Sequence, residues 1–168
     1  VKTVNCLYKD EEGRLWIGTN DNGISIIIND TLTNVISKED GLAADSVRCI
    51  TQSTDGDYYV GTTGELSIVT LAGGLSVKST VHDITYARCI DAASNGDVAV
   101  VTDKGLLYLL NSGRIINMRL PDGTDSYTCC RYYGDRLYAG TSENEIHVYS
   151  TDNGELVCEK KVECGDIK

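Results

Sequence analysis

Proline and histidine are nearly absent from this sequence, and no long apolar run occurs in it. Pro121 is the one proline, which suits a chain made mostly of sheet, where a missing backbone N–H breaks a ladder. The longest apolar stretches, Ile24 to Ile28 and Leu106 to Leu110, are strand-sized. A bilayer needs about 18 or more apolar residues in a row, so this chain is not expected to insert into a membrane. The two histidines, His82 and His147, come with no Gly-x-Ser-x-Gly elbow. For His82-Asp83 the sequence does not show the partner that a hydrolytic triad needs. Lys and Arg number 15 against 25 Asp and Glu, a net charge of −10, and they are scattered. Phosphate binding requires clustered cations, so a nucleic-acid partner is excluded.

The seven cysteines include no Cys-x-x-Cys pair with a matching partner set, which argues against a zinc site or thioredoxin-like chemistry. Cys129 and Cys130 are adjacent, so in a strand they point to opposite faces and cannot bridge each other. Val1-Lys2-Thr3-Val4 has neither an initiator Met nor a signal-peptide pattern, and the chain is expected to be a piece of something longer.

What the sequence has in quantity is self-similarity. Val4-Asn5-Cys6-Leu7 returns as Val47-Arg48-Cys49-Ile50, as Ala87-Arg88-Cys89-Ile90 and, more loosely, as Tyr127-Thr128-Cys129-Cys130. A turn follows with Gly13, Gly56 or Gly96, replaced in the fourth copy by the shorter Gly134-Asp135. Next comes a short strand: Leu15-Trp16-Ile17-Gly18-Thr19, Tyr58-Tyr59-Val60-Gly61-Thr62, Val98-Ala99-Val100-Val101-Thr102 and Leu137-Tyr138-Ala139-Gly140-Thr141. A polar loop, a third apolar run and a Gly/Asn/Asp turn into a fourth extended piece complete each unit. Four strands in about 40 residues, repeated without helical periodicity, mark propeller blades, whereas a β-sandwich would not repeat its motif. The expected fold is all-β: a β-propeller segment of four four-stranded antiparallel blades, over residues 1–46, 47–86, 87–126 and 127–168. Ile167-Lys168 falls where a fifth copy would start, which points to a larger parent propeller.

Residues that recur in every copy are read as architectural. Trp16, Tyr59 and Tyr138 share one position and are expected to fill the space between blades, with Ala99 packing differently. Gly18, Gly61 and Gly140 allow close backbone approach, Val101 breaking the rule, and Thr19, Thr62, Thr102 and Thr141 follow them. Cys6, Cys49, Cys89 and Cys129 are expected to act as small buried hydrophobes.

The stretch Gly41-Leu42-Ala43-Ala44-Asp45-Ser46-Val47-Arg48-Cys49-Ile50 with Asp55-Gly56-Asp57-Tyr58-Tyr59-Val60-Gly61-Thr62 resembles the two-component regulator propeller repeat. So does Asp10-Glu11-Glu12-Gly13-Arg14-Leu15-Trp16-Ile17-Gly18-Thr19-Asn20-Asp21-Asn22-Gly23. The third and fourth copies are degenerate. The resemblance implies a ligand-sensing, extracytoplasmic part of a bacterial membrane receptor whose outputs are histidine kinases, hybrid regulators or diguanylate cyclases. It implies no catalytic residue and no cofactor, and carbohydrates among the ligands.

Gly-His and Trp-Asp dipeptides of a WD-repeat scaffold are lacking, and Asp10 to Trp16 has one residue too many for a sialidase Asp-box. Asn20-Asp21-Asn22-Gly23 and Thr54-Asp55-Gly56-Asp57 are explained as turns without Ca²⁺, and no metal site is expected. Ligand contacts are expected in loops that differ between blades on one rim. The links between blades offer Asp45, His82, Asp83, Tyr86, Asp122 and Asp125, and the loops after the second strands offer Asn20, Asp21, Asn22, Asp103 and Lys104. The alternative function is a protein-interaction scaffold. Expected partners are the remaining blades of a parent chain, or a second copy that closes an eight-bladed ring.

Overall fold

The computed structural model describes residues 3–120, 123 and 125–165. Val1-Lys2, Asp122 and Ile167-Lys168, which carried expectations above, lie outside the described residues. The described chain holds four four-stranded antiparallel sheets, each a meander whose strands pair in chain order, and no α-helix. The first is β1 (Val4–Lys9), β2 (Leu15–Thr19), β3 (Ile24–Ile28) and β4 (Thr31–Ile36). The second is β5 (Val47–Gln52), β6 (Tyr58–Thr62), β7 (Glu65–Thr70) and β8 (Ser76–Thr85). The third comprises β9 (Ala87–Ala92), β10 (Asp97–Thr102), β11 (Leu107–Asn111) and β12 (Arg114–Arg119). β13 (Tyr127–Tyr133), β14 (Arg136–Thr141), β15 (Glu145–Ser150) and β16 (Val157–Glu163) make the fourth. Each sheet starts at a copy of the sequence motif.

The turns follow from local backbone chemistry. Asn29 and Asp30 both have positive φ, 49° and 60°, in a two-residue hairpin between Ile28 and Thr31. Ser112 and Gly113 do the same at 49° and 75°. Two consecutive positive φ values match the right-handed twist of the flanking strands. The fourth copy is one residue shorter because Gly134 (φ 62°) and Asp135 form a two-residue turn between Tyr133 and Arg136.

Residues Val1–Ala87 and Arg88–Lys168 form two compact units. In the first, Trp16, Ile24 and Ile26 of one sheet bury against Val47, Ile50, Tyr58, Val60 and Val69 of the next. In the second, Ala99, Val101, Leu107 and Leu109 meet Tyr127, Cys130, Leu137, Ala139 and Tyr149. Each such aliphatic side chain contributes about 1.5–3 kcal/mol on full burial.

One expectation is corrected by the strands. His82 and Asp83 were placed in a link, but β8 runs on to Thr85 and holds both. Leu66 pairs with Val81 and Glu65 with Thr85, so residues 82–84 bulge from the edge strand while Ile84 turns inward and is fully buried.

Candidate functional site

Each meander has two ends. At one lie the turns joining its first to second and third to fourth strands; at the other lie the loop between its second and third strands and the links to adjacent sheets.

The turn end of the first unit is built on Asp10, whose side chain is fully buried. Its Oδ2 accepts hydrogen bonds from Arg14 Nε at 2.6 Å, Trp16 Nε1 at 2.9 Å and the Tyr58 hydroxyl at 2.9 Å. Oδ1 receives the backbone N–H groups of Glu12 and Arg14. The Trp16 and Tyr58 rings stack with centroids 3.8 Å apart. Burial works against the Asp10 charge, but the bonds from Arg14, Trp16 and Tyr58 prevail and hold its carboxyl below the ordinary range. Although the spacing from Asp10 to Trp16 departs from an Asp-box, the carboxylate still reaches the indole. Sequence reasoning missed both this role and Tyr58 as the stacking partner of Trp16. Beside the cluster lies a cleft of about 690 Å³, lined by Glu12, Arg14, Gln52, Asp57, Leu71 and Lys78 among others. Two ion pairs lie within it, Arg14 with Glu12 at 2.7 Å and Lys78 with Asp57.

The link end carries most of the residues expected to touch ligand. Backbone bonds tie its loops together: Gly23 N–H to Asp45 O, Thr63 N–H to Ser46 O and Tyr86 N–H to Gly64 O, at 2.9, 3.0 and 3.0 Å. Asn20 and Asp21 are exposed and Asn22 is half-buried. Asp45 accepts the Lys38 N–H at 2.7 Å, so its carboxylate braces the link. Tyr86 is 50% exposed, holds φ 53°, and its carbonyl accepts from Arg48 Nη1 at 3.4 Å. A non-glycine residue in that region is strained and persists only where its surroundings impose it. His82 is set apart on the edge strand, its Nδ1 3.1 Å from Glu65 Oε1.

In the second unit, Asp103 and Lys104 are exposed. Asp125 Oδ1 accepts from Ser126 N–H, Ser142 N–H and the Ser142 hydroxyl, a bracing role like that of Asp45. His147 on β15 is 2% exposed. Its Nε2 lies 3.0 Å from Glu145 Oε2, and its Nδ1 lies 3.4 Å from the hydroxyls of Tyr127 and Tyr149, which bond to each other. Donor atoms of Asp125, Glu145 and His147 lie within 4.8 Å of one another. These are ligand types that a divalent transition ion takes, and each is already engaged by protein partners. At the turn end of this unit a cleft of about 490 Å³ is lined by Asn95, Asp97, Asn111, Thr151 and Glu155 among others.

The repeated threonines have a chemical reason to recur. Thr19 Oγ1 donates to Gly23 O at 2.9 Å and accepts from Asn22 N–H; Thr62 does the same with Glu65 O and Gly64 N–H. Thr141 accepts the N–H groups of Glu143 and Glu145. Thr102 is buried with its hydroxyl unpartnered among the described residues. Of the aromatics at the shared position, Trp16 and Tyr59 are buried and Tyr138 is half-buried. Its ring stands edge-on to that of Tyr133, with centroids 6.4 Å apart.

Residues 1–21 match the family model of the two component regulator propeller. No curated protein matches by sequence. Among solved structures, the extracellular domain of a hybrid two component system from B. thetaiotaomicron superposes with a TM-score of 0.73 at 16% identity, covering 94% of this chain and 23% of that one. Virginiamycin B lyase from Staphylococcus aureus, solved with quinupristin, gives 0.75 at 19% identity, covering 99% and 57%. Sqt1 of Saccharomyces cerevisiae gives 0.76 at 13%, covering 92% and 47%. This chain thus spans between about a quarter and just over half of the structures it matches, and at these identities the likeness is one of fold. The fold is that of a β-propeller, and the chain carries a repeat of the two-component regulator propeller type.

Proposed function

We propose that this chain is a non-catalytic, ligand-sensing segment of an extracytoplasmic propeller in a bacterial membrane receptor. The observation that carries the reading is the regulator-propeller repeat at residues 1–21, alongside the structural likeness to the extracellular domain of a hybrid two component system. Tyr86 supplies a candidate contact: an exposed aromatic ring on a strained backbone, at the same link end of the meanders as the loop bearing Asn20, Asp21 and Asn22. Rings of this kind stack on the apolar faces of sugars, while amides and carboxylates take the hydroxyls. The ligand class that fits is a neutral oligosaccharide. Calorimetric titration with a panel of neutral oligosaccharides should find a binder that Tyr86→Ala weakens at least tenfold. No heat with any member, or equal affinity in Tyr86→Ala, would overturn this reading.

The scaffold reading is favoured by exposed apolar side chains on β1, Val4 at 55% and Leu7 at 62%. Further blades or a second copy would cover them. Sedimentation at rising concentration tests this, and a strictly monomeric profile argues against a second copy.

A further inference from the structure

The four repeat cysteines do not share one environment, and the third copy also differs at the glycine position of the neighbouring strand. Cys6 pairs across the ladder with Gly18, Cys49 with Gly61 and Cys129 with Gly140. A Cβ added to these glycines would stand 2.4, 2.4 and 2.8 Å from the respective sulfurs. Each Sγ therefore occupies the space that a missing side chain leaves. In the third copy Val101, whose side chain is buried, stands at the glycine position. Cys89 Sγ instead lies over Cys130 on β13, 3.3 Å from the Cys130 nitrogen and 3.3 Å from its carbonyl oxygen.

We infer that Cys89 and Cys130 are a reactive thiol pair, Cys89 the nucleophile and Cys130 the resolving thiol, which a low-mass disulfide oxidises to a bond joining β9 to β13. The Cys89 thiolate attacks one sulfur of the disulfide RSSR, forming a mixed disulfide and releasing RS⁻. The Cys130 thiol then gives up its proton, attacks Cys89 Sγ and expels the second RS⁻. Two protein thiols and one RSSR thus become one protein disulfide and two RSH. The resulting staple would bridge the first strands of the third and fourth sheets.

The local chemistry favours this order of events. The Cys130 side chain and N–H, against the opposing burial, bring the Cys89 thiol down to about 6, while Cys130 Sγ itself also lies 3.7 Å from the Ala99 carbonyl. Burial alone dominates at Cys6 and pushes that thiol up to about 11. At neutral pH the thiolate populations then differ by about 10⁴, and the lower nucleophilicity of the weaker base returns about 10² of that. Cys130 is 4% exposed, so it meets Cys89 before any outside reagent. Asp91, nearby and 3.6 Å from Arg131, opposes the thiolate and does not prevail.

The test is oxidation of the folded chain at pH 7 with oxidised glutathione, followed by acid quench and peptide mass analysis. A Cys89–Cys130 cross-link with loss of two hydrogens is expected. Cys130→Ser should stop at a glutathione adduct on Cys89, and Cys89→Ser should leave Cys130 unmodified. Val101→Gly returns to Cys89 the space its counterparts have and should slow cross-linking at least tenfold. In a separate arm, iodoacetamide should alkylate Cys89 about 50-fold faster than Cys6. Adducts confined to other thiols such as Cys129, or equal alkylation of Cys89 and Cys6, would overturn the inference, as would undiminished cross-linking in a folded Val101→Gly chain. Should that variant not fold, the adduct trapped in Cys130→Ser decides alone.

Discussion

The two compact units are built from the same repeat and solve its buried polar positions differently. In the first, an ionised carboxylate, Asp10, gathers Arg14, Trp16 and Tyr58 at one turn. The second has Ala93 where the first has Asp10, and its buried polar network lies instead among Tyr127, His147, Tyr149 and Glu145. A cluster centred on one carboxylate is costly to break because removing that group strands the others, whereas taking one hydroxyl from the second network removes only its own hydrogen bonds.

The largest effect should come from Asp10→Ala, which takes their shared acceptor from a half-buried guanidinium, a buried indole N–H and a buried hydroxyl. A loss of about 3–5 kcal/mol is expected in urea denaturation. The same group sets an acid limit. Its folded value is depressed, so its stabilisation is complete above the ordinary carboxylate range and is lost as pH falls through the folded value. Denaturation midpoints compared at pH 6 and in the acid range should show this slope in the native chain and a shallower one in Asp10→Ala.

Next is Gly18→Ala, whose new Cβ would meet Cys6 Sγ at 2.4 Å and Val47 Cγ1 at 2.6 Å. About 1–3 kcal/mol of destabilisation is expected, partly relieved when Cys6→Ala is added. A double-mutant cycle with no coupling would refute the sulfur-for-glycine packing.

Tyr127→Phe in the second unit should cost about 1–2 kcal/mol, since Tyr149 and His147 each lose one partner. A cost equal to that of Asp10→Ala would erase the contrast between the units. The smallest effect belongs to Lys78→Ala: its ion pair with Asp57 joins an exposed ammonium to a largely buried carboxylate, and the midpoint should scarcely move at physiological salt.

The repeat made the sheets legible. Strand starts at Val4, Val47, Ala87 and Tyr127 coincide with the sequence motif because apolar alternation and Gly/Asn turns act locally. His82 and Asp83 were misread because nothing local announces a bulge; β8 continues there because Ile84 has a core to enter. The candidate ligand residues were legible as a set of variable loops, but not the bracing parts of Asp45 and Asp125. Those depend on which N–H groups the folded links present. The clefts at the turn ends were not legible either, since each is lined by turns and strands far apart in sequence.

By itself the sequence determined the repeat, its strand order and the residue types at each position, since these need only steric periodicity and turn chemistry. Tertiary structure alone decided that Asp10 is a buried anchor, that Tyr138 remains half-covered, and that Cys89 lies against Cys130. Each of those depends on what a neighbouring strand or sheet leaves empty, and vacant space is a property of packing that no local pattern encodes.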